Sequence, residues 1–144
     1  MLLSSDIWGP HFWFFLHTTA LAYPEHPNAI VKKKYFNLIQ NLPTFLPNKR
    51  MGKQFAKKLN EFPVSPYLSS RPSLMKWVHF MHNKINRNLG KPEITFFKSL
   101  EVYYLNYETK KTKLMKEVRK KRKYVSAGVC IFFVFLIAYI YKKN

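Results

Sequence analysis

The sequence predicts an all-α protein: a four-helix bundle plus a short fifth helix, followed by a C-terminal transmembrane helix. Three observations predict it. Apolar residues recur at helical spacing through the first hundred positions, and strand-like alternation is scarce. Prolines such as Pro24, Pro27, Pro47, Pro63, Pro66, Pro72 and Pro92 fall between the periodic segments. From Tyr124 to Tyr141 the chain carries no charge at all.

The first helix is expected from about Ile7 or Pro10 to Tyr23, with Asp6 as its N-cap. It is apolar nearly all round and so should be buried on most sides. Within it Trp13 and His17 stand one turn apart. Asn28–Leu42 has helical spacing at Ile30, Val31, Tyr35, Leu38, Ile39 and Leu42, with Pro43 ending or kinking it. Asn48–Phe62 aligns Met51, Phe55, Leu59 and Phe62 along one side. A fourth helix, capped by Ser70 or Ser73, runs through Trp77 to Leu89 or Gly90. Thr95–Asn106 supplies a short fifth helix whose aromatics can close the bundle.

Trp77–Pro92 carries the densest chemistry. As a helix it puts His82 and Asn86 on one face, one turn apart, with Trp77 a turn and a half earlier. Gly90 suits a left-handed cap, and Pro92 prevents a restart. A ring, an imidazole, an amide and then Lys91 suit a nucleotide-like ligand: stacking for its base, the amide for the sugar, the cation for phosphate. A histidine on a helix face is more often a satisfied structural residue, so the block alone does not decide the matter.

Composition narrows the field. The 144 residues allow one small domain plus a tail, and the formal charge of +18 points to anionic partners. Cys130 is the only cysteine, so no internal disulfide can form, and zinc-type clusters are absent. The division expected is a bundle over 1–106, a basic juxtamembrane segment over 107–123, a transmembrane helix over 124–141 and a tail over 142–144. The eighteen uncharged residues, YVSAGVCIFFVFLIAYIY, come close to the minimum for crossing a bilayer. Tyr124, Tyr139 and Tyr141 sit where interfacial aromatics do. Met1 to Asp6 has no signal-peptide character, so a tail-anchored, single-pass membrane protein is expected. Lys110, Lys111, Lys113, Lys116, Arg119, Lys120, Lys121, Arg122 and Lys123 precede the span, against one Glu117. Such a run keeps the bundle on the cytosol-facing side and can bind anionic lipid. Nucleic acid is the competing partner for it.

Two separated blocks resemble the flavin-linked sulfhydryl oxidases of the Erv/ALR family. The first is Trp8-Gly9-Pro10-His11-Phe12-Trp13, with Leu16-His17-Thr18 and Tyr23-Pro24. The second is Trp77, then His82-Asn83-Lys84-Ile85-Asn86 and Leu89-Gly90-Lys91-Pro92. The resemblance covers roughly Ile7 to Tyr104. It implies a cone-like bundle holding FAD, usually as a homodimer. By that likeness Trp13, His17 and Tyr23 would line the flavin cavity, Trp77, His82, Asn83 and Asn86 would hold the adenosine, and Lys91 would approach the phosphates.

One departure is decisive for chemistry. The family's third helix opens on Cys-x-x-Cys, and the matching places here are Asn48 and Met51. Thiol oxidation needs a thiolate and a second sulfur that can form a disulfide. An amide and a thioether supply neither, and Cys130 falls within the apolar run. No catalytic residues are therefore expected, no metal is expected, and FAD retention is an open expectation. The fold suits a structural role: a docking component with a protein partner in a larger assembly. Compact members with an added span resemble those of large DNA viruses, which suggests a minor capsid protein or one at a virion inner membrane. A flavoprotein borrowing a partner's cysteines is the alternative.

Overall fold

The computed structural model of the chain describes residues 3–143. Among them are six α-helices, one 3-10 turn and no strand. The helices are α1 (Ser5–Leu21), α2 (Ala29–Phe45), α3 (Lys49–Glu61), α4 (Arg71–Asn88), α5 (Phe96–Leu105) and α6 (Lys110–Lys143), and the turn is Ser65–Tyr67. The chain separates into two compact units, Met1–Tyr103 and Tyr104–Asn144.

In the first unit α1 packs on α4 and α2 packs on α3. The core between them holds Leu16, Tyr23, Leu42, Leu59, Trp77 and Met81, each at most 5% exposed. Burial of such side chains contributes about 1.5–3 kcal/mol apiece. Gly52 lets α2 and α3 approach closely, because a Cβ there would stand 2.5 Å from the Pro43 carbonyl oxygen.

The helix ends show local chemistry at work. Ser4, not Asp6, caps α1: its hydroxyl accepts from the Asp6 amide at 3.3 Å. Asp6 instead lies in the first turn, where a carboxylate complements the helix dipole. α2 runs through Pro43 to Phe45, beyond the expected end. Proline there has no N–H for the Ile39 carbonyl one turn back, yet the helix continues for two further residues. Leu46, extended before Pro47, ends the helix instead. Ser70 caps α4. Gly90 closes it at φ 66°, with Lys91 N–H bonded to the Asn86 carbonyl and Gly90 N–H to that of Arg87. That is the six-to-one, five-to-two pairing of a Schellman end.

The second unit is dominated by α6. Thr109 caps it through the Thr112 amide at 3.1 Å, and Glu108 pairs with Lys116. Its 34 residues carry the basic run and the apolar run on one continuous helix, about 51 Å long. The stretch Thr112–Ile140 is long and apolar enough to cross a membrane. The side chains of Lys110, Lys111 and Tyr141, and all of Asn144, lie outside the described residues.

Candidate functional site: a closed ring and imidazole cluster

α1 and α4 bring three of the sequence-derived residues together. Trp13 projects from α1 and stacks on His82 of α4, with ring centroids 4.0 Å apart and planes 9° from parallel. His17, one turn on, points its Nε2 at His82 Nδ1, 3.2 Å away. Phe55 of α3 meets the indole at 6.2 Å.

Burial governs the charge of this cluster. Desolvation, reinforced by His79, lowers the His17 pKa to about 4. Desolvation, then His17, His79 and Lys91, lowers that of His82 to about 3. Both imidazoles are thus neutral near pH 7, so one nitrogen of the facing pair donates and the other accepts. His79 is also lowered, chiefly by burial.

The remaining candidates go elsewhere. Trp77 is 2% exposed, and its indole N–H donates to the Phe62 carbonyl at 3.1 Å. Tyr23 is fully buried: its hydroxyl donates to the Leu68 carbonyl at 2.9 Å and its ring meets Tyr35 edge-on. Asn83 clamps the loop after α4, donating to the Ile94 carbonyl at 2.9 Å and accepting from the Ile94 amide at 3.3 Å. Lys91 pairs with Asp6 at 2.9 Å on the surface. Asn86 contributes its backbone carbonyl to the cap of α4.

Tyr103 of α5 belongs to the cluster and stands outside both sequence blocks. It is 6% exposed, lies 5.9 Å from His17 and 5.2 Å from Phe14, and its hydroxyl bonds to that of Thr18. Its position among the aromatics of the fifth helix was the available signal.

Asn48 has acquired a precise structural task. Its side-chain oxygen accepts from the amides of Arg50 and Met51 at 3.0 and 3.2 Å, capping α3. Met51, half-buried, follows in the first turn.

The model of the Erv1/Alr family matches residues 10–107. The chain belongs to the Erv1/Alr family. A protein described as a probable FAD-linked sulfhydryl oxidase from Acanthamoeba polyphaga mimivirus is 33% identical over 100 residues, 69% of this chain and 70% of the relative. The FAD-linked sulfhydryl oxidase of African swine fever virus is 27% identical over 96 residues, 67% of this chain and 79% of that one. Among solved structures the yeast Erv1 core superposes with a TM-score of 0.61 at 28% identity, covering 65% of this chain and 78% of that chain. The fold is therefore the Erv1 bundle. Some relatives are much longer than the match: it spans 46% of the erv1 protein of Schizosaccharomyces pombe.

Within the Erv1/Alr frame the cluster holds residue types suited to a flat aromatic cofactor. In this structure these groups engage one another. One indole face is covered by His82 at contact distance, the two imidazoles are spent on each other, and Asn83 is spent on Ile94. A flavin would have to part the Trp13–His82 stack to gain a ring contact there.

Proposed function

We propose that this Erv1/Alr chain is a redox-inactive, membrane-anchored docking component. The observation carrying this reading is the pair Asn48 and Met51 at the family's cysteine places, with the Asn48 amide oxygen bonded into the α3 cap. Without two sulfurs the electrons of a client dithiol have no protein acceptor. The bundle then serves as a rigid body, and the division into bundle, basic segment and span assigns its parts.

α6 supports the anchor. If the uncharged residues from Tyr124 onward fill the bilayer, Arg119 to Lys123 lie within about 8 Å of its edge and meet anionic headgroups. Lys113 stands about 17 Å out on the same helix, beyond the range of strong attraction at physiological salt. The viral source of relatives supports a viral setting; within it we place the chain at a virion membrane, as a minor capsid or membrane-linking protein with the bundle on the cytosol-facing side.

A homodimer is the favoured assembly. An open apolar groove of about 430 Å³ is lined by His11, Phe12 and Phe15 of α1 and Leu38, Leu42 and Phe45 of α2. Phe15 and Phe45 are 48% and 68% exposed. A patch of that kind on a soluble face marks an interaction surface.

The test uses the full chain purified in a neutral detergent. Oxygen uptake with dithiothreitol should stay at the rate of a buffer blank, with or without added FAD. Dithiol-dependent, flavin-dependent uptake overturns the proposal. A second reading, a flavoprotein using a partner's cysteines, is favoured by the intact His82-Asn83-Lys84-Ile85-Asn86 block. It requires the pure chain to carry a flavin absorption band.

A further inference from the structure

The bundle keeps no acidic side chain in reserve. Residues 1–103 hold fourteen Lys and Arg against five Asp and Glu. Each of the five acids is already paired: Asp6 with Lys91, Glu25 with Arg71, Glu61 with Lys58, Glu93 with Arg87 and Glu101 with Lys98. Of the nine cations left over, Lys32, Lys33 and Lys34 stand on α2, Lys76 and Lys84 on α4, and the remaining four share one face of α3. Lys49, Arg50, Lys53 and Lys57 are all exposed on α3 and have no ion-pair partner among the described residues. At about 100° per residue they fall within one arc of about 100°, and Lys49, Lys53 and Lys57 rise in steps of about 6 Å.

Like charges four residues apart repel, so this row is a standing cost to the helix. The opposite face of α3 carries Gly52, Phe55 and Leu59 into the core, which fixes the rotation of the helix and keeps all four cations turned outward. A rigid, regular line of cations complements a polymer that carries a regular line of anions. A nucleic-acid duplex carries one phosphate charge per about 1.7 Å of axis, so a row about 12 Å long faces several at once.

We infer that the outer face of α3, from Lys49 to Lys57, is a docking surface for a nucleic-acid phosphate backbone, read without sequence preference. It is distinct from the basic run of α6. It does not require the redox-inactive reading, since neither Asn48 and Met51 nor the ring and imidazole cluster is among the four cations.

The test is anisotropy of a fluorescent twenty-base-pair duplex with the full chain in neutral detergent, titrated with potassium chloride. Three chains are compared: wild type, the α3 variant Lys49→Gln/Arg50→Gln/Lys53→Gln/Lys57→Gln, and the α6 variant Lys113→Gln/Lys116→Gln/Lys120→Gln/Lys121→Gln. All eight sites are exposed, and an unchanged melting temperature confirms folding. The slope of log affinity against log salt should flatten by about three to four in the α3 variant, with at least a tenfold loss near 0.1 M salt. The α6 variant should lose much less. Equal losses in both variants would mean bulk charge only and would overturn the assignment, as would an α3 variant that binds like wild type. Protection of α3 amides from hydrogen exchange by phosphatidylserine nanodiscs, and not by the duplex, would give the face to lipid and overturn it too.

Discussion

His17 Nε2 and His82 Nδ1 face each other at 3.2 Å, each imidazole held neutral by burial. This makes the bundle acid-sensitive. In the unfolded chain both histidines take a proton near pH 6.5; in the folded chain they do so only near pH 4 and pH 3. Between those limits the unfolded state binds more protons, so stability rises with pH and is lost as pH falls from about 6.5 toward 4. The ceiling is about 1.4 kcal/mol per pH unit for each histidine. Thermal melts from pH 7.5 to 4 should show the loss, and His17→Gln should reduce its steepness. A His17→Gln chain with an unchanged pH profile would remove the histidine pair as its source.

Gly52 tests the contact between α2 and α3. A methyl group there meets backbone oxygen of Pro43, which cannot swing aside as a side chain would. Gly52→Ala should destabilise the bundle by about 1–3 kcal/mol despite alanine's better helix propensity. Urea unfolding of the two chains measures it.

Asn83 separates a structural role from a ligand role. Its amide holds the Ile94 backbone from both sides. Asn83→Ala should cost about 0.5–1.5 kcal/mol in flavin-free protein, because two solvent-exposed backbone groups exchange a fixed partner for water. An unchanged melt in the absence of flavin would point to ligand binding as the residue's task.

Much of the bundle could be read from residue order, for identifiable reasons. The helices came through because the apolar spacing and the prolines agree, and Gly90 because its place after Leu89 needs a positive φ. Trp13, His17 and His82 were legible as candidates, but their mutual contact depends on how α1 meets α4, which no local pattern encodes. Trp77 reads as a stacking ring from one dimension, while its depth and its bond to Phe62 are set by α3. Pro43 shows the same limit: its ring ends helices in general, yet α2 runs through it to Phe45, as α1 runs through Pro10. The cationic face of α3 was hidden because Lys49, Arg50, Lys53 and Lys57 become a row only once Phe55 and Leu59 fix the rotation of the helix.

The apolar groove on α1 and α2 gives an assembly prediction. Phe15→Lys and Phe45→Lys each place a charge on a largely apolar, exposed lining, and a desolvated lone ammonium is costly. If this face joins two copies, sedimentation in detergent should shift from dimer to monomer while the far-ultraviolet spectrum stays helical. A wild-type chain that sediments as a monomer removes the dimer.

Cysteines placed at Asn48 and Met51 test the proposed redox inactivity. Asn48→Cys/Met51→Cys restores the spacing at the start of α3, at the cost of the Asn48 cap, about 1 kcal/mol. A thiol at a helix N-terminus has a lowered pKa and reacts readily, so with oxidised glutathione as the two-electron acceptor the new pair should close to an intrahelical disulfide, releasing two glutathione thiols per chain, visible by thiol counting. Electrons would still need somewhere to go. With Trp13 stacked on His82, the cysteine variant should stay without oxygen uptake when FAD and dithiol are supplied. Adding Trp13→Ala opens the stack, and flavin binding by that triple variant alone would locate the block at the rings. Full oxidase activity in the double variant would instead mean that the cluster opens freely to flavin and that the ring stack is no barrier.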